Sequence, residues 1–225
     1  MFAKLLILAA ATLGFEHTAH AMGCDDDAAL VAWNKDGSAA LLEEHSMCQG
    51  DRGTTFSIVD VTGTTTVAVL SHTSRTNGAD VDSEAAADCN KAARSLANDL
   101  TAHHFLGVTV SVAACKGDRQ KIVGVSDAAK IETDRTWIAL PQGRTPTTRE
   151  RMAWDAVRAM QADWAPFAVS PKDDCSESHG TIDAASKSDK LVLVFASVTC
   201  DSPLRVRVTG FATGKRLELW PVIEP

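Results

Sequence analysis

The stretch ALVAWNKDGSAALLEEH, residues 29–45, decides the fold that we predict for this chain. An apolar run ends at Trp33, residues 34–37 are Asn-Lys-Asp-Gly, and a second apolar run follows. Asn and Asp-Gly favour the backbone conformations of tight turns, so two apolar runs around them are typical of a β-hairpin.

The chain continues outward from this hairpin as further strands. Residues 49–53 are expected to be a loop, and residues 54–61 alternate apolar and polar side chains in the two-residue period of a strand. Residues 62–63, Thr-Gly, turn the chain, and residues 65–72 return. Residues 29–72 are therefore predicted to form a four-stranded meander.

Two segments have the period of amphipathic helices. The first is residues 82–106, for which Gly107 is the expected end, since glycine is the usual residue just past a helix. The second follows Pro146, where Thr147 and Glu150 have the spacing of a capping box.

The remaining segments are expected to be strands and loops. Residues 108–140 form a second β-rich stretch, and residues 165–190 are expected to be a loop. Residues 191–198 are almost wholly apolar, which is typical of a central strand buried on both faces. Residues 204–222 complete a third β-rich stretch.

Together these patterns predict an α+β fold with antiparallel β-meander units of about ten strands, two amphipathic helices packed on the sheet, and disulfide staples. Residues 22–225 are expected to form a single exported domain, with a split near residue 143 as the alternative. A predicted strand ends at each of Cys48, Cys115 and Cys200, which suggests an internal duplication of the β units.

The N-terminus has the features of an export signal. Lys4 precedes an apolar run at residues 5–15, and polar residues then lead to Ala-His-Ala at residues 19–21. A basic start, a short apolar run and an A-x-A ending make up a secretory signal, and the run is shorter than the roughly 20 residues that span a bilayer. We therefore predict that residues 1–21 are cleaved off between Ala21 and Met22, and that the mature protein is periplasmic or extracellular.

Six cysteines remain after that cleavage. They contain no C-x-x-C spacing, and an even number in an exported chain is typical of disulfides, whose pairing the sequence leaves open. In an alternative interpretation, residues 21–24 loosely match a lipobox, and Cys24 would carry a lipid anchor. Acylation would leave an odd number of thiols, so the count favours simple cleavage. The six disulfide candidates are Cys24, Cys48, Cys89, Cys115, Cys175 and Cys200.

The net charge and the hydropathy of the chain limit the classes of partner that it is expected to bind. The net charge is −7, and it is unchanged by signal removal because Lys4 and Glu16 cancel. No basic stripe is present, so nucleic acid is excluded, since phosphate binding requires clustered Lys and Arg. No transmembrane span is predicted in the mature chain. The expected partner is an unidentified extracytoplasmic ligand or protein, and no cofactor or metal is predicted because no ligand motif occurs.

The candidate chemistry centres on His45. Strand alternation places Glu43 and His45 on one face and Glu44 on the other. A carboxylate–histidine pair could act as a general base, with a third partner from His72 or Asp60. An exposed strand face would explain the same residues without chemistry.

Other patterns are weaker. His103 and His104 are expected in the last turn of a helix, where adjacent side chains point about 100° apart and cannot easily share one ion. Cys175 and His179 could form a nucleophile–base pair, although a disulfide is favoured for an exported cysteine. Residues 80–91 begin with the rhythm of a calcium loop but lack its glycine and its closing glutamate.

These observations predict an exported, disulfide-stabilised binding, accessory or structural protein of the cell envelope or secreted space, without catalysis. The alternative is a secreted or periplasmic hydrolase with a His/carboxylate site, because catalytic groups need only be close in space. Two histidines that meet a carboxylate in a cleft would favour the hydrolase.

Overall fold

The computed structural model describes residues 24–48, 51–73, 83–110, 123–125, 134–135, 143–164, 179–199 and 205–218. These residues form a mixed α+β fold of helices and antiparallel strands, as predicted. The elements of the first half are β1 (Cys24–Trp33), β2 (Ala39–Cys48), β3 (Asp51–Asp60), β4 (Gly63–Thr73) and α1 (Ser83–Ala102). Those of the second half are β5 (Val108–Val110), β6 (Val123–Val125), β7 (Asp134–Arg135), α2 (Thr148–Trp164), β8 (His179–Ser186), β9 (Leu191–Thr199), β10 (Arg205–Ala212) and β11 (Lys215–Glu218).

Strands β1–β4 form the predicted meander, in which each strand pairs antiparallel with the next. The predicted loop at residues 49–53 is wrong in its second half, because β3 already begins at Asp51. Residues 51–53 pair with β2 on one side and with β4 on the other. Ladder hydrogen bonds on both sides therefore override the low strand propensity of Asp and Gly in this segment.

Strands β8–β11 form a second antiparallel meander. Its second strand, β9, is the central, doubly buried strand predicted from the apolar run, and residues 191–194 are fully buried. The prediction of a loop at residues 165–190 is wrong at residues 179–186, which form β8. The sequence HGTIDAAS has few β-branched or aromatic residues, so pairing with β9 determines its conformation.

The two meanders pack face to face. They belong to one sheet with the order β4-β3-β2-β1-β10-β9-β8-β7, in which β11 also pairs with β10. The junction is the parallel pairing of β1 with β10, at Asp26 opposite Arg205. A shared core contains apolar side chains of both meanders: Trp33, Ala40, Leu42, Val59, Ala185, Leu191, Leu193, Val208, Ala212 and Leu217.

Each helix covers the outer face of one meander. Leu96 and Leu100 of α1 lie in a core with Leu41, Phe56 and Ile58 of the first meander. On the second meander, the core beneath α2 consists of Met152, Ala153, Ala156, Val157, Ala184, Val192, Val194 and Ala196. The described layers are therefore α1, the first meander, the second meander and α2. The middle β-rich stretch contributes only the short strands β5–β7 in its described part.

The end of α1 differs from the prediction. The helix stops at Ala102, and His104 has the left-handed φ of 59° expected of the residue just past a helix. The amide of Phe105 donates to the carbonyl of Leu100 at 2.9 Å, and that of His104 donates to Thr101 at 3.1 Å, which is the hydrogen-bond pattern of a Schellman motif. Gly107 has a positive φ but lies beyond this cap.

The capping box of α2 is confirmed. The amide of Glu150 donates to Thr147 Oγ1 at 3.2 Å, and the amide of Thr147 donates to Glu150 Oε2 at 2.8 Å. Among the described helices, neither combines the length and the apolar character needed to cross a membrane.

Candidate functional site

Glu43, His45 and Thr54 form a polar cluster on the outer face of the first meander. Alternation along β2 places Glu43 and His45 on the same face as the buried Leu41, and register places Thr54 directly opposite His45. Glu43 Oε1 lies 3.4 Å from His45 Nε2, and Thr54 Oγ1 lies 3.1 Å from His45 Nδ1. The imidazole therefore lies between a carboxylate and a hydroxyl, which is the order of groups in an acid–base–nucleophile triad.

The surroundings of this cluster differ from those of a closed active site. The side chain of His45 is 51% exposed. His45 pairs with Asp27 and Thr54, and Thr54 pairs with His45 and Leu70, so both strands have neighbours on each side. Their backbone amides are therefore engaged in ladders instead of being available as donors for an oxyanion.

A second histidine–carboxylate pair lies at the turn end of the sheet. His103 Nδ1 and Asp60 Oδ2 are 4.0 Å apart, just past α1 and at the end of β3. Asp60 Oδ1 also accepts hydrogen bonds from the Thr62 amide, the Thr62 hydroxyl and the Gly63 amide at 2.7, 2.5 and 3.1 Å. Partial burial acts to raise the pKa of Asp60, but the hydrogen bonds from Thr62 and Gly63 and the charge of His103 outweigh it, so the pKa is lowered. The carboxylate of Asp60 therefore stabilises the turn between β3 and β4.

The two histidine–carboxylate pairs do not meet. Asp60 pairs with Ala39 at the start of β2, and His45 lies six residues further along that strand. Six residues of strand span about 20 Å. The suggested partnership of Asp60 with His45 is therefore wrong.

Other predicted partners are only partly described. His72 lies on β4, where its backbone pairs with Arg52 of β3. The β4 residue level with His45 is Leu70, so His72 is two strands and two residues away, about 12 Å. His103 and His104 lie in the cap of α1 and not in its last helical turn.

Cys175 lies outside the described residues, as does the beginning of the calcium-like stretch. In the described part of the chain, no three His, Cys, Asp or Glu side chains gather where they could hold a metal ion.

Of the predicted disulfide candidates, Cys89 is the one whose side chain is described. It packs on the core between α1 and the first meander, as helical spacing predicted, and it is not a free thiol. Cys24 and Cys48 are described as strand residues. The predicted signal with its cleavage site at Ala21 and Met22 lies outside the described residues, as do Cys115 and Cys200.

A cluster that sequence reasoning missed joins the β1–β2 turn to the β8–β9 turn. Lys187 Nζ donates to the carbonyl of Asn34 at 3.0 Å, and Ser188 Oγ donates to the carbonyl of Gly37 at 3.0 Å. Lys190 Nζ lies 2.6 Å from an oxygen of Asp36. The hydrogen bonds of Lys190 and then of Ser38 hold the pKa of Asp36 well below its usual range.

Asn34 connects these turns to α1. Its side-chain Nδ2 donates to the backbone carbonyl of His103 at 3.3 Å, and its side-chain Oδ1 accepts from the backbone amide of Ala39 at 3.0 Å. The amide of Lys35 donates to the carbonyl of His104 at 3.2 Å. The polar groups of this end therefore connect the β1–β2 turn both to the end of α1 and to the second half of the fold. The turn sequence at 34–37 marks these residues as turn formers, but no local pattern shows which distant residues they contact.

Comparison with protein-family models, curated proteins and solved structures finds no match to this chain.

Proposed function

We propose that this chain is an exported, disulfide-stabilised, non-catalytic protein that binds, assists or supports a partner in the cell envelope or secreted space. The proposal begins from the signal-like residues 1–21 and the six cysteines that follow them. An extracytoplasmic ligand or protein is the expected partner, and a net charge of −7 favours partners other than nucleic acid.

The observation that carries the non-catalytic assignment is the environment of His45. The imidazole lies on an open strand face, and the amides around it are held in ladders on both sides. Acyl transfer requires donors aimed at a developing oxyanion in a water-excluded site, and this face supplies neither. At the other end, Asp60 and Asn34 use their polar groups within the fold.

The state of Cys89 supports the disulfide part of the proposal. Cys89 is not a free thiol, and as the seventh residue of α1 it packs against the core of the first meander. A disulfide there would tie the helix to another segment. Such bonds persist in oxidising compartments, which agrees with export.

Export is tested by expressing the full chain with its own N-terminus and fractionating the cells. We expect the protein in the periplasm or medium, with an intact mass that begins at Met22. The matched control lacks residues 2–21 and should remain in the cytoplasm. A full-length mass in the cytoplasmic fraction of the unaltered chain would contradict the proposal.

The second candidate function is a hydrolase, favoured by the Glu43–His45–Thr54 arrangement. In that case Thr54 would be the nucleophile, His45 the base and Glu43 its orienting carboxylate. Purified protein would be treated with an activated ester and with a hydroxyl-directed phosphonate probe. Our proposal expects no difference between the unaltered protein, His45→Ala and Thr54→Val. Labelling of Thr54 that disappears in His45→Ala would establish the hydrolase instead.

A further inference from the structure

Two cysteines lie opposite each other at the open end of the first hairpin. Cys24 is the first residue of β1 and Cys48 is the last residue of β2. The antiparallel register of these strands pairs Cys24 with Cys48, and the register continues unbroken from there to Leu30 opposite Leu42. The juxtaposition therefore belongs to a run of seven consecutive pairs, which ends at the register shift between Leu30 and Ala32, and it does not depend on one residue at a frayed end.

Backbone geometry at such a position suits a disulfide. Directly opposite residues in an antiparallel pair have Cα atoms about 4.5 or about 5.5 Å apart, according to their place in the hydrogen-bond pattern. Disulfides bridge Cα atoms that are roughly 4.4 to 6.8 Å apart. Either place in the ladder therefore falls within the range that a bridge requires.

We propose that Cys24 and Cys48 form a disulfide in the mature protein. Two thiols lose two protons and two electrons as the S–S bond forms, and a protein or low-molecular-weight disulfide in the oxidising compartment is reduced to two thiols. The inference rests on the proposed export, which supplies that oxidant.

The bond would link the two strands at the open end of the hairpin, opposite its turn. Residues 25–27 are three consecutive aspartates, a residue type that is depleted in strands, so the start of β1 has a low intrinsic strand propensity. The same segment carries the pairing of Asp26 with Arg205, through which β1 joins β10 of the second meander. Fixing Cys24 to β2 therefore also holds the junction between the halves.

The bond also decides between two sequence interpretations. A sulfur that is bonded to Cys48 cannot carry the thioether-linked lipid that a lipobox would add to Cys24. The proposal thus assigns simple cleavage before Met22 and leaves Cys89, Cys115, Cys175 and Cys200 to pair among themselves.

The test is a disulfide map of protein isolated without reductant, alkylated with iodoacetamide, and digested with trypsin. Lys35 separates the two cysteines, so they fall on the peptides 22–35 and 36–52, and each of the other four cysteines falls on a peptide of its own. We expect the mass of 22–35 linked to 36–52, which disappears on reduction. Linkage of either peptide to another cysteine, alkylation of both, or a lipid on Cys24 would overturn the proposal.

Variants provide an independent readout. Cys24→Ser should make Cys48 newly alkylatable, whereas Cys89→Ser should free a different cysteine and leave the 22–35/36–52 linkage intact. If the chain is retained in the cytoplasm with residues 1–21 attached, export has failed; the full chain is then oxidised with glutathione disulfide and mapped in the same way. The same linkage is expected, and its absence there would refute the pairing itself.

Discussion

Gly37 lies at the contact between the two hairpin turns, and its replacement by alanine tests whether that contact stabilises the fold. Its φ is +70°, in the left-handed region. A Cβ at this position would lie 2.8 Å from Ser188 Oγ and 3.0 Å from the Cβ atoms of Ser188 and Lys187. Both distances are well below the roughly 3.5–4 Å of an ordinary carbon contact.

The expected cost has two parts. An alanine in the left-handed region costs about 1–2 kcal/mol in the free energy of unfolding. Separating the turns to accommodate the methyl group adds about 1–3 kcal/mol of overpacking and about 1 kcal/mol for the hydrogen bond from Ser188 Oγ to the carbonyl of Gly37. Gly37→Ala should therefore destabilise the protein by about 3 kcal/mol or more.

Gly214 is the matched control. Its φ is +74°, and nothing lies within 4 Å of a Cβ built on it. Gly214→Ala should therefore show only the backbone cost of about 1–2 kcal/mol. Both free energies are measured by urea unfolding of the oxidised mature protein, from the shift in midpoint at a constant m value.

Equal destabilisation of the Gly37 and Gly214 variants would refute the reasoning, because the crowding against Ser188 would then contribute nothing. A double variant sharpens the test. Ser188→Gly removes two of the crowded atoms, so in the Gly37→Ala background it should cost less than in the parent, with a coupling energy of about 1 kcal/mol. Additive effects would contradict the proposed clash.

Three further predictions concern buried and exposed polar groups and the hairpin bridge. Thr209 Oγ1 is buried without a hydrogen-bond partner among the described residues. Thr209→Val should therefore leave the free energy of unfolding unchanged or raise it by up to about 1 kcal/mol, as measured by urea unfolding. A clear decrease in that free energy would show that the hydroxyl has a partner. Hydrogen bonds from Arg144 and then from the Thr147 backbone lower the pKa of Glu150 from 4.5 to about 2. This carboxylate therefore stabilises the fold above about pH 4.5 and loses that contribution as the pH falls towards 2. Glu150→Gln should flatten the dependence of the urea midpoint on pH over this range, and an unchanged dependence would contradict the prediction. Replacing Cys24 and Cys48 together by serine should lower the free energy of unfolding by about 3.5 kcal/mol, the loop entropy for roughly 25 residues. An unchanged urea midpoint would count against the bridge.

Much of the local structure was predictable because its signals lie within a few residues of one another. The turn at residues 34–37, the buried strand β9 and the capping box of Thr147 with Glu150 all depend on neighbours along the chain. The end of α1 was not predicted, because Gly107 is the expected stop whereas His104 adopts the left-handed conformation. The contact of Phe105 with the core, and the pairing of its amide with Leu100, account for that earlier stop.

The candidate site was predicted in part. Two-residue alternation was sufficient to place Glu43 beside His45, but the hydroxyl of Thr54 depends on the register of the adjacent strand. The suggested partner Asp60 was wrong, because the number of residues between two groups does not show which end of a sheet each occupies. Asp60 closes a turn instead, about 20 Å from His45.

The sequence by itself determined the periodicities, the turn chemistry, the capping of α2 and the expectation of export, since each depends on residue types close together in the chain. Only the tertiary structure decided that β8 is a strand, that the two meanders share a core, and that Asp36 meets Lys190. It also decided that Cys24 stands opposite Cys48. The physical reason is that these pairings join residues from 6 to more than 150 positions apart, and their free energy comes from register and burial that exist only once both partners are in place.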